Sequence, residues 1–225
     1  MFESKYSKVL TVVLVIVIIA IVVLVGFFAY DLISKYNSTK EASEFVEDYQ
    51  SDITTGDKSG TDGNQVDGNV TVDQIEETPD TSSGTTSGKK KFKGFTVVGT
   101  MRIPTINLEY PIFEEVSTSA LENGLIALYP NGDNLNLAGN TVIIGHNYRN
   151  GMFFSNLKKL SNGDKVYVTD FRGKSVTYEV YNIFEASQTD TSFYARDTNG
   201  LPEITLSTCT DASNDQRTII FARQV

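Results

Sequence analysis

The 225 residues include one cysteine, one histidine and no tryptophan, and they carry a net charge of −9. The acidity is uneven: residues 31–90 hold 13 acidic and 5 basic side chains, whereas residues 91–225 hold 14 and 12. No basic stripe offers a footprint for nucleic acid, and a single cysteine excludes an internal disulfide.

Residues 9–30 read VLTVVLVIVIIAIVVLVGFFAY, without one charge. About 20 such residues suffice to cross a bilayer as a helix. A cleaved signal peptide has a shorter apolar core and a small-residue cleavage site, which this stretch does not show, so an uncleaved anchor is expected. Lys5 and Lys8 precede the span and Asp31 follows it. That bias predicts a short cytoplasmic segment over residues 1–8 and the bulk of the chain outside.

Residues 31–50 continue with some apolar spacing (Leu32, Ile33, Tyr36, Phe45, Val46, Tyr49), which suggests that the helix runs on. Residues 51–90 are rich in Gly, Ser, Thr and Asp and lack aromatic side chains. Such a segment buries too little apolar surface to offset its ordering entropy, so a disordered tether is expected, spanning on the order of 35 Å. Residues 31–90 thus form a juxtamembrane helix and an acidic linker.

From about residue 91 the texture is all-β. FTVVGTMRI and LEYPIF are short β-rich runs punctuated by Pro104 and Pro111. STSALENG begins with capping residues and ends at Gly124, which predicts a short helix. NTVIIGH is an apolar strand running into His146, and FFSNLKKL is a short helical stretch. NGDKVYV, SVTYEVYNIFEAS, EITLSTC and RTIIFARQV are further strands. Some eight strands separated by turns predict a closed or nearly closed barrel over residues 91–225.

Cys209 ends one of these strands. By alternation it shares a face with Glu203, Thr205 and Ser207, and not with Ile204 and Leu206. A core-filling thiol would sit with the apolar set. His146 stands at a strand end and Arg217 begins the last strand. Taken singly, each has an ordinary structural explanation. Together they supply a nucleophile, a proton carrier and a cation for a developing oxyanion. One His and one Cys make a poor zinc site, and no phosphate-binding loop is present. No cofactor is expected, with any calcium requirement left open.

These residues bring a family with them. TLSTC (205–209) matches the T-L-x-T-C signature of the sortases, and RTIIFA (217–222) resembles their arginine strand. VIIGHNYRNGMFFSNLKKL (142–160) is similar to their histidine segment. MRIPTINLEYPIF (101–113) and LENGLIALYP (121–130) resemble the opening strands and the approach to the histidine. The resemblance covers residues 95–225 with the motifs in order. It implies an eight-stranded sortase-type barrel with Cys209, His146 and Arg217 as the catalytic group and Thr208, Ser207 and Asn147 as substrate-binding residues. It also implies a cysteine transpeptidase that cleaves an LPxTG-like sorting signal on surface proteins or pilins. The acyl group would pass through a thioester to a cell-wall precursor amine or a pilin lysine, with the enzyme held on the cell membrane. A specificity loop is expected at about 186–202. The histidine segment has a class B flavour. However, the 63-residue separation of His146 and Cys209 leaves no room for that class's helical insertion, and no second membrane segment follows the arginine strand. A compact class A- or D-like enzyme is therefore expected. The alternatives are another extracellular thiol enzyme, such as an L,D-transpeptidase or cysteine protease, or a non-catalytic β-domain on a stalk.

Overall fold

The computed structural model describes residues 3–56 and 88–225. The linker expected at 51–90 falls largely outside them.

Helix α1 runs unbroken from Glu3 to Gly56. Its apolar stretch has no protein cover: Val9, Ile16, Leu24 and Phe28 are all exposed. At 1.5 Å per residue, 22 such residues reach about 33 Å, the thickness of a bilayer's hydrocarbon core. Further along, the helix docks on the barrel. Ala42, Val46 and Tyr49 recur at helical spacing and are buried. Phe45 lies 4.8 Å from the ring of Phe92. Ser43 donates to Glu109 at 2.5 Å, and Lys93 pairs with Glu41 at 2.9 Å.

The barrel begins with a two-residue arm, β1 (Lys91–Phe92), folded back on β2 (Phe95–Ile103). Then come β3 (Leu108–Phe113), helix α2 (Thr118–Leu121), β4 (Leu125–Tyr129) and β5 (Gly139–Ile144). A 3₁₀ turn at Phe154–Lys159 leads to β6 (Lys165–Asp170), β7 (Ser175–Ser187), β8 (Pro202–Cys209) and β9 (Gln216–Gln224). Beyond the β1 arm, eight strands lie in the order β2-β3-β4-β5-β8-β9-β7-β6, and β6 pairs back onto β2 to close the barrel. Closure removes the free edges that an open sheet would present.

The local chemistry explains several of these boundaries. Ser117 caps α2 by accepting from the Ala120 N–H at 3.1 Å. Pro111 falls inside β3 instead of ending it. Strand β4 runs beside β3 only at Ile112 and Phe113, so Pro111 sits where that side of the strand is open. The barrel interior is filled by side chains such as Met101, Leu125, Ile143, Leu206 and Ile220. A second apolar layer, Ala186, Phe193 and Ile219 with Phe184, Tyr194 and Phe221, lies where the β7–β8 connection folds onto the sheet.

Candidate active site

Three adjacent strands build the site. In the sheet order β5-β8-β9, the cysteine strand is in the middle. On one side Cys209 lies directly opposite Arg217 in the antiparallel register. The neighbouring Thr210 N–H donates to the Gln216 carbonyl at 3.0 Å. Cys209 and Arg217 therefore form a non-hydrogen-bonded pair, the type that brings opposed side chains closest. On the other side β5 runs parallel to β8, with Ile144 level with Ser207. The Gly145 N–H donates to the Ser207 carbonyl at 3.3 Å. The paired register ends there, two residues before His146 on one strand and two before Cys209 on the other, so both residues follow from neighbouring strand ends.

Thr208 and Gly145 hold this alignment. The Thr208 hydroxyl, buried, donates to the Gly145 carbonyl at 2.7 Å. Gly145 has no room for a side chain: a Cβ there would lie 2.7 Å from Leu125 and 2.9 Å from Phe154. Asn147 Nδ2 reaches back to the Cys209 carbonyl at 2.8 Å. Ser207 is also buried. Of the three residues expected to bind substrate, Thr208 and Asn147 have their side-chain donors committed to the protein itself.

The faces of β8 follow the expected alternation, with one addition. Glu203, Thr205 and Ser207 lie on the Cys209 face, yet Thr205 is as buried as Ile204 and Leu206, and Ser207 is buried too. Arg196, from the β7–β8 connection, supplies the cover. It forms an ion pair with Glu203, donates to Asn140 Oδ1 at 2.9 Å, and lies 4.0 Å over the Phe221 ring. Tyr181 donates to the same Glu203 at 2.8 Å. A polar strand face can be buried only when its groups find partners, and here Arg196 and Tyr181 serve Glu203 while Asn140 accepts from the Thr205 hydroxyl at 2.9 Å. Arg196 carries no local motif, so sequence reading missed it.

His146 is half-buried, and its ring stacks on Tyr148 with centroids 4.6 Å apart. Burial lowers its pKa below the ordinary 6.5, and the nearby charge of Glu122 opposes that shift in part. The imidazole is therefore neutral at pH 7 and able to accept a proton. Arg217 is fastened at its rim: Nη1 donates to the Asn214 and Gln216 carbonyls, and Nη2 to Gln188 Oε1 at 3.4 Å. Its Nε–H and one Nη2–H have no acceptor among the described residues. Among those residues, no cluster of His, Cys, Asp and Glu could hold a metal ion.

A closed β-barrel that presents a thiol, an imidazole and a guanidinium on neighbouring strand ends defines a narrow class of protein. The chain belongs to the sortase family, whose domain model matches residues 101–225. It is similar to sortase A of Streptococcus agalactiae serotype III, 29% identical over 140 residues, covering 60% of this chain and 56% of that protein. Sortase A of Bacillus anthracis is 28% identical over 127 residues, covering 56% of this chain and 58% of the relative. The chain thus spans little more than half the length of these curated relatives. In structure it is similar to sortase A from Corynebacterium diphtheriae, with a TM-score of 0.52, 34% identity, and coverage of 58% of this chain and 61% of the other. The pilus-related sortase C of Group B Streptococcus gives a TM-score of 0.51 at 30% identity, covering 57% and 67%.

Proposed function

We propose that the protein is a sortase transpeptidase acting through Cys209. The observation that carries this reading is the Cys209–Arg217 pair across β8 and β9, with His146 following the end of β5 on the other side of the cysteine strand. Neutral His146 takes the thiol proton, and the thiolate attacks the carbonyl carbon of a sorting-signal peptide bond. The negative charge that develops on oxygen falls to the two free N–H groups of Arg217. As the C–N bond breaks, imidazolium returns the proton to the departing amine, leaving a thioester on Cys209. The depressed pKa of His146 favours that return, because its imidazolium is more acidic than usual. A second amine, from a cell-wall precursor or a pilin lysine, displaces the thiol and completes the transfer.

The substrates are surface proteins or pilins that carry an LPxTG-like signal, and α1 anchors the enzyme in the cell membrane with the barrel outside. The family match and the uncovered apolar helix support this placement. Mass spectrometry of the full chain mixed with a sorting-signal peptide tests the reading. A covalent adduct on Cys209, absent from Cys209→Ala, is the expected result. Cleavage that survives Cys209→Ala would overturn it.

A further inference from the structure

The segment that carries His146 out of β5 has left the ladder with β8, is closed on itself by a single antiparallel bridge between Asn147 and Phe153, and has a strained backbone. Arg149 and Phe153 adopt φ of +56° and +49°, and Gly151 adopts +91°. Side chains other than glycine's rarely accept such angles, so contacts elsewhere must hold the loop in place. At the far end Phe153 is buried against Tyr110, ring centroids 4.8 Å apart, and the Phe154 N–H donates to the His146 carbonyl at 3.0 Å. At the near end two side chains do the work. Asn147 Nδ2 donates to the Cys209 carbonyl at 2.8 Å and to Asp211 Oδ1 at 2.9 Å. Its Oδ1 accepts from the Arg149 N–H at 3.0 Å. Arg149 Nε donates to the Asp211 carbonyl at 3.0 Å, and Nη2 to the Thr210 carbonyl at 3.2 Å. The carbonyls of residues 209, 210 and 211 are thus all gripped by the two residues at positions +1 and +3 from the histidine.

We propose that Asn147 and Arg149 are positioning residues for acyl transfer, a staple that joins the histidine turn to the chain leaving the nucleophile and so sets His146 against Cys209. The proposal rests on the transpeptidase reading. It also reassigns Asn147, both of whose amide hydrogens are spent inside the protein, from touching substrate to placing the imidazole. A carboxamide and a guanidinium suit the task because each reaches two acceptors at once in fixed directions.

The chain has a single histidine and a single cysteine, so each can be followed without interference. The test uses the full chain in detergent, as Asn147→Ala, Asn147→Asp, Arg149→Ala and Arg149→Lys. With a sorting-signal peptide, Asn147→Ala and Arg149→Ala should lower kcat by about 100-fold while KM stays within about twofold, since small misplacement of a catalytic group costs that much. Asn147→Asp should be worse than Ala, because it sets an oxygen against the Cys209 carbonyl and Asp211. Arg149→Lys should recover part of the rate. Two measurements need no peptide: the NMR titration of His146, and the rate of Cys209 alkylation by iodoacetamide against pH. In folded variants the His146 midpoint should move back toward 6.5, and the His146 inflection in the alkylation profile should move with it. Unchanged titration and alkylation, with a kcat loss no larger than the unfolded fraction, would make the staple merely structural. A raised KM at constant kcat would return Asn147 to substrate binding. If the wild-type chain cleaved no sorting peptide, the transpeptidase reading would fall, while the two peptide-free measurements would still decide whether the staple places His146.

Discussion

Burial holds the pKa of His146 below its ordinary 6.5, and the charge of Glu122 opposes that shift only in part. Two outcomes follow from the sign of that balance. By NMR its titration midpoint should fall below 6.5, and Glu122→Gln should lower it further by removing the one opposing charge. A midpoint at or above 6.5 would contradict the burial seen here. Because the folded pKa is depressed, the unfolded chain binds more protons between the two values. The histidine's contribution to stability is complete above pH 6.5 and is lost as pH falls through the folded pKa. For Arg217, alanine should reduce kcat by about 10²–10³-fold with a smaller change in KM, the usual loss for one oxyanion donor. Lysine should rescue it only partly, since a point charge cannot hold Asn214, Gln216 and Gln188 while keeping two N–H groups free.

The strands place these residues through contacts that lie behind the reacting groups. Thr208 ties β8 to the end of β5 through the Gly145 carbonyl. Thr208→Val keeps the shape but leaves that buried carbonyl short of a donor, which should cost about 1–3 kcal/mol in urea unfolding. Gly145→Ala meets Leu125 and Phe154 at distances real Cβ atoms avoid, so it should cost about 1–3 kcal/mol through overpacking and displace His146. A Gly145→Ala variant with wild-type stability and turnover would show that β5 ends more loosely than the structure indicates.

On the scale of the molecule, α1 has two unlike parts, an uncovered apolar stretch and a stretch packed on the barrel. Thr39, whose hydroxyl lies 3.4 Å from that of Tyr110, is only nine positions beyond Tyr30 at the end of the apolar stretch. As continuous helix that is about 14 Å, so if the apolar stretch spans a bilayer as proposed, the barrel is held close to its surface. Residues 39–52 belong to the folded unit. Lys90 pairs with Asp48 and Asp52, and Tyr49 joins the apolar cluster around Val97 and Phe113. A fragment of residues 91–225 uncovers that cluster and should melt at least about 5 °C below one of residues 36–225, as calorimetry would show. Equal melting temperatures would mean that α1 contributes nothing to the barrel's stability.

Patterns a few residues long were legible in the sequence alone. The uncharged run at 9–30, the alternation that set Cys209 apart from Ile204 and Leu206, and the ordered motifs around His146, Cys209 and Arg217 all depend on local period or local order. They were enough to predict an all-β barrel of eight strands and the family. The structure decided what depends on distant partners. Helix α1 docks on β1–β3 because Ala42, Val46 and Tyr49 find an apolar face made by residues more than forty positions away. The polar face of β8 is buried because Arg196, Tyr181 and Asn140 arrive from other elements to partner Glu203 and Thr205. Asn147, adjacent to the histidine in sequence, is drawn onto the chain after the cysteine because the Cys209 carbonyl and Asp211, 62 and 64 residues further on, take both its hydrogens. A hydrogen bond has no periodicity along the chain, so a sequence can supply the donor without showing where its acceptor will be.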